Sequence, residues 1–261
     1  MDWQSLPNPD KVDTDAFGAA YELWEQLSEA GKSKPKIQRA LDVASGACRL
    51  YGHGARVFAS FNGGKDAVAV LHLLRAALAG YCVRHSLPLA RVRCVYFEDA
   101  REFGEVTEFV NRTAETYDLD MVRFDCGFAD GLTQLVERES GGLAFVLGTR
   151  RGDPNCGEQE HFCPASEWMP PFMRVNPVLH WDYGDVWDFL REFGLTWCVL
   201  YDQGYSSLGH RENTQRNPSL RRPGSPETYD AAWTMTDFTL ERAGRAGFSK
   251  KPHVKEAGED Q

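Results

Sequence analysis

Several absences narrow what this chain can be. Its seven cysteines are scattered and odd in number, with no Cys-x-x-Cys pair, which reads as free thiols in a reducing compartment and excludes a disulfide scaffold. The start, MDWQSLPNPD, has no basic residues and no apolar stretch, so no signal peptide is expected. No apolar run approaches the roughly 18 to 20 residues a membrane span requires, so no membrane association is expected. Positive charge is in deficit, 29 Lys and Arg against 38 Asp and Glu, a net charge of −9. That argues against nucleic acid as a partner, since such a surface is basic. It leaves small anions open, because a few local cations can hold a phosphate on an acidic protein. Internal repeats and low-complexity tracts are also missing.

What is present is a core-forming chain with a changing rhythm. Apolar residues make up 42% of the 261, enough for one large domain or two small ones. TDAFGAAYELWEQLSEAGKS (14–33) spaces Phe17, Ala20, Tyr21, Trp24 and Leu27 at helical intervals, and 34–54 reads as a second helix. Then RVFASF is a short buried strand and DAVAVLHLLRAALAGYCVRH a helix. RVRCVYF is a strand followed by a helix, MVRFDC another strand followed by DGLTQLVERES, and LAFVLGT a further strand. Strands alternating with helices predict an α/β fold, a doubly wound, mostly parallel sheet with helices on both faces. Ligands then sit beyond the carboxyl ends of strands, in the loops after Phe61, Phe97, Phe124 and Gly148. After Thr149 the periodicity is lost until FMRVNPVL and a helix from about 183 to 193. From 203 the chain is irregular and rich in Gly, Ser, Asn, Pro and Arg.

The most pointed stretch is ARVFASFNGGKDAVAVLHLL, 55–74. An apolar strand stops at Asn62-Gly63-Gly64-Lys65-Asp66 and an amphipathic helix begins at once. Glycines let the backbone approach phosphate oxygens with N–H groups pointing inward at the helix N-terminus, and Lys65 adds a full charge. Asp66 would repel a phosphate unless it holds a metal or caps the helix, and an ATP-bound Mg²⁺ is the natural partner for such a carboxylate. The stretch is neither a P-loop ending in GK[ST] nor a GxGxxG turn. Taken alone, it is equally well a plain strand–helix turn. Likewise Gly148-Thr149-Arg150-Arg151-Gly152-Asp153-Pro154 carries two cations and a carboxylate to a strand end; alone, Asp-Pro is ordinary turn chemistry.

SFNGGKD resembles the pyrophosphate-binding turn of the PP-loop ATP pyrophosphatase superfamily, with its adenine nucleotide α-hydrolase-like fold. The NGGKD form is similar to two branches, the eukaryotic-type FAD synthases (FMN adenylyltransferases) and the phosphoadenylyl-sulfate reductases. Further stretches resemble the first branch: GTRRGDP, FMRVNPVLHW, the helix DVWDFL, YSSLG at 205–209, NPSL at 217–220 and TLERAGR at 239–245. They run in order from about 55 to 245. The reductases carry a C-terminal Cys in an ECGLH-like motif, whereas the last cysteine here is Cys198 in TWCVLYD, so the thiol nucleophile that reduction needs is missing.

The resemblance implies transfer of AMP from ATP to FMN, giving FAD and pyrophosphate. It implies Ser60, Phe61, Asn62, Gly63, Gly64, Lys65, Tyr96, Glu98, Gly148 and Arg150 for ATP and pyrophosphate, and Asp66, Asp153, Arg242 and Arg245 as catalytic residues. Asn62, Asp66 and Asp153 become the candidate Mg²⁺ ligands. Arg242 and Arg245, three apart, would face one way on a helical turn, either reaching back to the reacting phosphates, as the resemblance implies, or lying on a solvated terminal helix face. A flat apolar slot for the flavin would come from Phe162, Trp168 and Met169, with Arg151, Glu167, Trp168, Arg174, Tyr205 and Ser206 as FMN contacts. Trp168 is equally well a core anchor of its loop. The family's usual Asp before that Trp is missing, Glu167 stands nearby, and the gap from Trp168 to Phe172 is one residue longer. Backbone groups at 59–61 and 96–98 would read adenine, and Glu98 and Asp99 either touch the ribose or simply solvate their loop.

The expected organisation is a helical segment 1–54, a nucleotide-binding core 55–200 with a flavin loop at 150–175, an extension 201–248, and a frayed tail 249–261. A cytoplasmic monomer is expected. The alternatives are another PP-loop enzyme, such as a sulfonucleotide reductase, and a non-catalytic flavin or nucleotide carrier.

Overall fold

A computed structural model describes residues 2–247 apart from 140, 155 and 226; the expected frayed tail lies outside the described residues. Two compact units emerge, one ending at Cys198 and one beginning at Val199.

The first unit opens with α1 (Thr14–Gly31), whose N-cap Asp13 accepts from the N–H groups of Asp15 and Ala16, and α2 (Pro35–Leu50), which starts on a proline. Both caps satisfy or remove N–H groups that a helix start leaves open. The α/β core follows: β1 (Val57–Ser60), α3 (Lys65–His85), β2 (Arg93–Phe97), α4 (Gly104–Thr116), β3 (Asp120–Phe124), α5 (Phe128–Arg138), β4 (Ala144–Val146), β5 (Phe162–Pro164), β6 (Met173–Val175) and α6 (Tyr183–Glu192). The sheet order is β3-β2-β1-β4-β6-β5, parallel except for the antiparallel β5–β6 pair. The strand order reverses at β1, so the crevice between the carboxyl ends of β1 and β4 is the topological switch point where such sheets take their ligands.

Helix α3 packs against α1, α2 and α6. A Cβ at Gly80 would lie 2.5 Å from the Trp24 ring, so glycine there is what lets α1 approach so closely. Covered on several sides, α3 is apolar nearly all round. Its mean hydropathy reaches 1.5 over an 18-residue window, long and apolar enough by composition to cross a membrane, and 89% of that window is buried. This corrects the expectation that no run approaches that length; the cause is a fully covered helix. On another side of the sheet, Phe58, Val95 and Phe145 pack with Leu132, Leu135, Leu143, Met169 and Phe172.

Two expectations of element type are also corrected. The stretch after Thr149 contains β5, too short for alternation to reveal and held by pairing with β6. The 239–245 stretch forms no helical turn of α type; it is the 3-10 segment Phe238–Leu240 followed by turns.

The second unit is built from short 3-10 segments and the isolated bridges Thr214–Arg245 and Arg221–Tyr229. Its brace is a buried polar network. Asn217 donates from Nδ2 to Ser206 Oγ (2.6 Å) and to the Leu240 carbonyl (2.7 Å), and Ser206 Oγ donates to the Glu241 carbonyl (2.6 Å).

Candidate active site

The turn after β1 is shaped by backbone constraints. Gly63 has φ +71°, which favours glycine, and a Cβ there would meet Val106 and Val110 at 3.1 and 3.2 Å. Asn62 Oδ1 accepts from Gly64 N–H at 3.1 Å, folding the turn back on itself. Gly64 is the N-cap of α3, and no side chain caps the helix. A glycine N-cap offers no side-chain acceptor to the first turn, a feature of helix starts that bind anions.

The turn after β4 comes to meet it. A Cβ at Gly148 would lie 2.8 Å from the Asp66 carbonyl carbon and 2.8 Å from its Cβ, so the two turns touch only because residue 148 has no side chain. That approach delivers Arg150, 5% exposed, to Asp66. Arg150 Nε lies 2.8 Å from Asp66 Oδ1 as an ion pair, and Lys65 Nζ donates to Asp66 Oδ2 at 2.9 Å. Asp153 Oδ2 accepts from the Arg150 backbone N–H (2.8 Å), and Asp153 Oδ1 lies 3.6 Å from Nη2. Two cations and two carboxylates therefore interlock beside the glycine turn. Lys65 is 1% exposed, and its ammonium sits 5.1 Å above the Tyr183 ring at the start of α6. Tyr183 was not expected at the site; an aromatic opening a helix carries no sequence signal of its own.

The expected adenine-reading edge is partly spent. Phe61 N–H donates to Val95 O (3.0 Å) and Glu98 N–H to Phe124 O (2.8 Å), so both belong to the sheet. The Glu98 carboxylate pairs with Arg123 at 3.2 Å. Tyr96 is buried and donates to Glu102 at 2.6 Å; burial first, then that carboxylate, pushes its hydroxyl up to about 12. Ser60 ends β1 and is half-buried.

The flavin expectations divide. Trp168 is 73% exposed, which rules out the core-anchor alternative. Met169, expected in the flat apolar slot, is instead buried in the core with Phe145 and Phe172, a correction caused by apolar burial, whereas Phe162 of β5 is half-buried near Gly46. Glu167 is exposed. Arg174 donates from Nη2 to Ser166 Oγ at 3.0 Å, and its buried Nε has no partner. Arg151 reaches the Gly157 carbonyl at 3.1 Å and Glu160 at 3.7 Å.

In the second unit, Ser206 is buried with its hydroxyl committed to the Asn217 brace, which corrects its assignment as an open flavin contact. Tyr205 beside it is half-buried. Arg245 donates from Nη1 to the Leu208 carbonyl at 2.7 Å, and its buried Nε has no partner. A Cβ at Gly209 would stand 2.1 Å from Nη2, so that glycine is what seats the guanidinium. Burial lowers the pKa of Arg245, and the neighbouring Arg242 lowers it further. Among the described residues no carboxylate pairs with Arg245, a condition that favours an incoming anion.

Against known proteins, the chain matches the phosphoadenosine phosphosulfate reductase domain over residues 56–134 and 129–216. It is 34% identical over 191 residues to a probable FAD synthase of Schizosaccharomyces pombe, covering 73% of this chain and 71% of that one. A probable FAD synthase of Caenorhabditis elegans is 34% identical over 72% of this chain, and the match spans only 36% of that longer protein. Among solved structures, FMN adenylyltransferase of Candida glabrata in complex with FAD and inorganic pyrophosphate superposes with a TM-score of 0.77. It is 25% identical, over 88% of this chain and 98% of that one.

Proposed function

This chain belongs to the FAD synthase family and carries the phosphoadenosine phosphosulfate reductase domain, and on that premise we propose that the crevice between β1 and β4 transfers the adenylyl group of ATP to FMN. An FMN phosphate oxygen attacks the α-phosphorus of ATP, the bond from that phosphorus to the bridging oxygen breaks, and pyrophosphate leaves. The FMN phosphate is largely ionised near neutrality, so no general base is needed. The work is positioning and charge neutralisation.

One observation carries the reading: the uncapped start of α3 and the Lys65–Asp66–Arg150–Asp153 cluster lie together at the switch point. The glycine turn and Lys65 hold the leaving pyrophosphate. Arg150, locked between two carboxylates, keeps the second turn in register with the first. In the second unit, taken by itself, Arg245 with its neighbour Arg242 is a cation suited to an anionic ligand. In the first unit, Trp168, Glu167, Arg174 and Arg151 remain the proposed flavin contacts; exposure of the Trp168 ring suits stacking on a flat ligand.

The donor set fits a Mg²⁺ that arrives on the triphosphate. No group of three acidic, His or Cys side chains among the described residues could hold a metal alone, and Mg²⁺ usually takes one or two carboxylates with the rest of its shell from phosphates and water. Asp66, Asp153 and Asn62 would hold it, and its contribution would be to neutralise charge on the phosphates. Three of the seven cysteines are ill suited to thiol-based reduction of a sulfonucleotide. Burial pushes Cys48 and Cys82 up to about 12 and raises Cys94 further, far from the thiolate such chemistry uses.

The test is turnover of FMN, ATP and Mg²⁺ by the purified chain, with flavins separated and pyrophosphate assayed. FAD and pyrophosphate in equal amounts are expected. Bound ATP without FAD would leave a nucleotide site whose acceptor is something else.

A further inference from the structure

The first-turn lysine of α3 raises a question that the phosphate site does not itself answer. Lys65 is 1% exposed, yet a buried ammonium is costly unless it is compensated on more than one side. Asp66 compensates it on one side at 2.9 Å. On another, Nζ lies 5.1 Å from the centroid of the Tyr183 ring, within range for attraction between a cation and a π face.

Tyr183 is itself held firmly. It is 2% exposed, and Trp187 packs edge-on at 6.2 Å. The helix it opens is fixed by a reciprocal cap between Asp182 and Asp185, and Asp185 also pairs with Lys36 of α2. Trp181 Nε1 donates to the Lys36 carbonyl at 3.4 Å. The ring is therefore placed by α2 and α6 together, not by the glycine turn it serves.

We propose that Tyr183 is a positioning residue for pyrophosphate: its ring holds the Lys65 ammonium, charged and pre-aimed, beside the glycine turn. Long lysine side chains lose rotamer freedom when they bind. A lysine already fixed between a carboxylate and an aromatic face has given up that freedom before the anion arrives. This inference rests on the proposed phosphate site but not on the flavin as acceptor.

The test keeps ring volume nearly constant and changes ring electrostatics. Tyr183 is replaced by Tyr183→Phe and then by mono-, di- and trifluorinated phenylalanine, and binding of inorganic pyrophosphate is measured by calorimetry without flavin or ATP. Affinity should fall stepwise with fluorine content, by about fivefold from phenylalanine to the trifluorinated ring. The same series in a Lys65→Met background should be flat, because the ring acts through the lysine. A flat series with Lys65 present, or an equal fall without it, would overturn the proposal. The readout separates the two readings: a graded series with no FAD formed upholds Tyr183 and sinks the acceptor, whereas FAD formation with a flat series does the reverse.

Discussion

At the scale of single residues, the site is a problem of close approach. Gly148 has no room for a methyl group against Asp66, so Gly148→Ala must push the turn after β4 away from α3. We expect a loss of about 1 to 3 kcal/mol in stability, as overpacking usually costs. A fall in turnover should accompany it, since Arg150 moves with the turn; denaturant melts and steady-state kinetics check both. Arg150 uses Nε and Nη2 towards two different carboxylates, a fork that a point-charge ammonium cannot reproduce. Arg150→Lys should therefore lose at least about tenfold in kcat/KM, and a variant indistinguishable from the parent would show that the fork is idle. Much of this centre was legible in the sequence. Two glycines, a lysine and a carboxylate in five residues are alone equally well a plain turn, but they stand between a strand and a helix, and Arg150 with Asp153 falls at another strand end. Tyr183 was not legible. Its role exists only because α6 is carried to the start of α3, and Met169 misled for the matching reason, since nothing in the sequence says which apolar side chain of a loop turns inward.

At the scale of elements, periodicity succeeded where elements are long and half-covered. It located the helix α3 but not its apolar surround, which exists because other elements cover it, and it missed β5, three residues held by pairing with β6. The Arg242–Arg245 spacing suggested a helical turn, but the Thr214–Arg245 bridge and the Asn217 brace bend that segment into turns instead. A contact between elements also supplies a pH prediction. Arg93 of β2 donates to both oxygens of Glu139, just past α5, at 3.1 and 2.8 Å. That hydrogen bonding, more than the opposing cost of burial, lowers the Glu139 pKa. A carboxylate whose folded pKa is depressed adds stability above its unfolded value, about 4.3, and loses it as pH falls through the folded pKa. Glu139→Gln should therefore cost about 1 kcal/mol near neutrality, and the gap to the parent should close below about pH 4. Urea melts across pH would show this; a gap that persists in acid would mean that the charge is not the cause.

At the scale of the molecule, order along the chain proved more informative than any one match. The turn after β1, the turn after β4, the FMRVNPVLHW strand and the helix after it occur in sequence, and the fold gathers the first two at one crevice while the strand and helix frame it with β6 and α6. The YSSLG, NPSL and TLERAGR stretches proved to share a structural task, since Ser206, Asn217, Leu240 and Glu241 are joined in one buried network that supports the segment carrying Arg242 and Arg245. A sequence reading could see that these stretches travel together without seeing that hydrogen bonds are the reason. The central claim is that the crevice moves an adenylyl group and not a terminal phosphoryl group. Its most direct test is the fate of label from ATP carrying phosphorus-32 at either the α or the γ position, incubated with FMN, Mg²⁺ and the purified chain. The account predicts α-label in the flavin product, one label per FAD, and γ-label wholly in pyrophosphate. Label from the γ position in the flavin, or α-label recovered only as AMP, would contradict it.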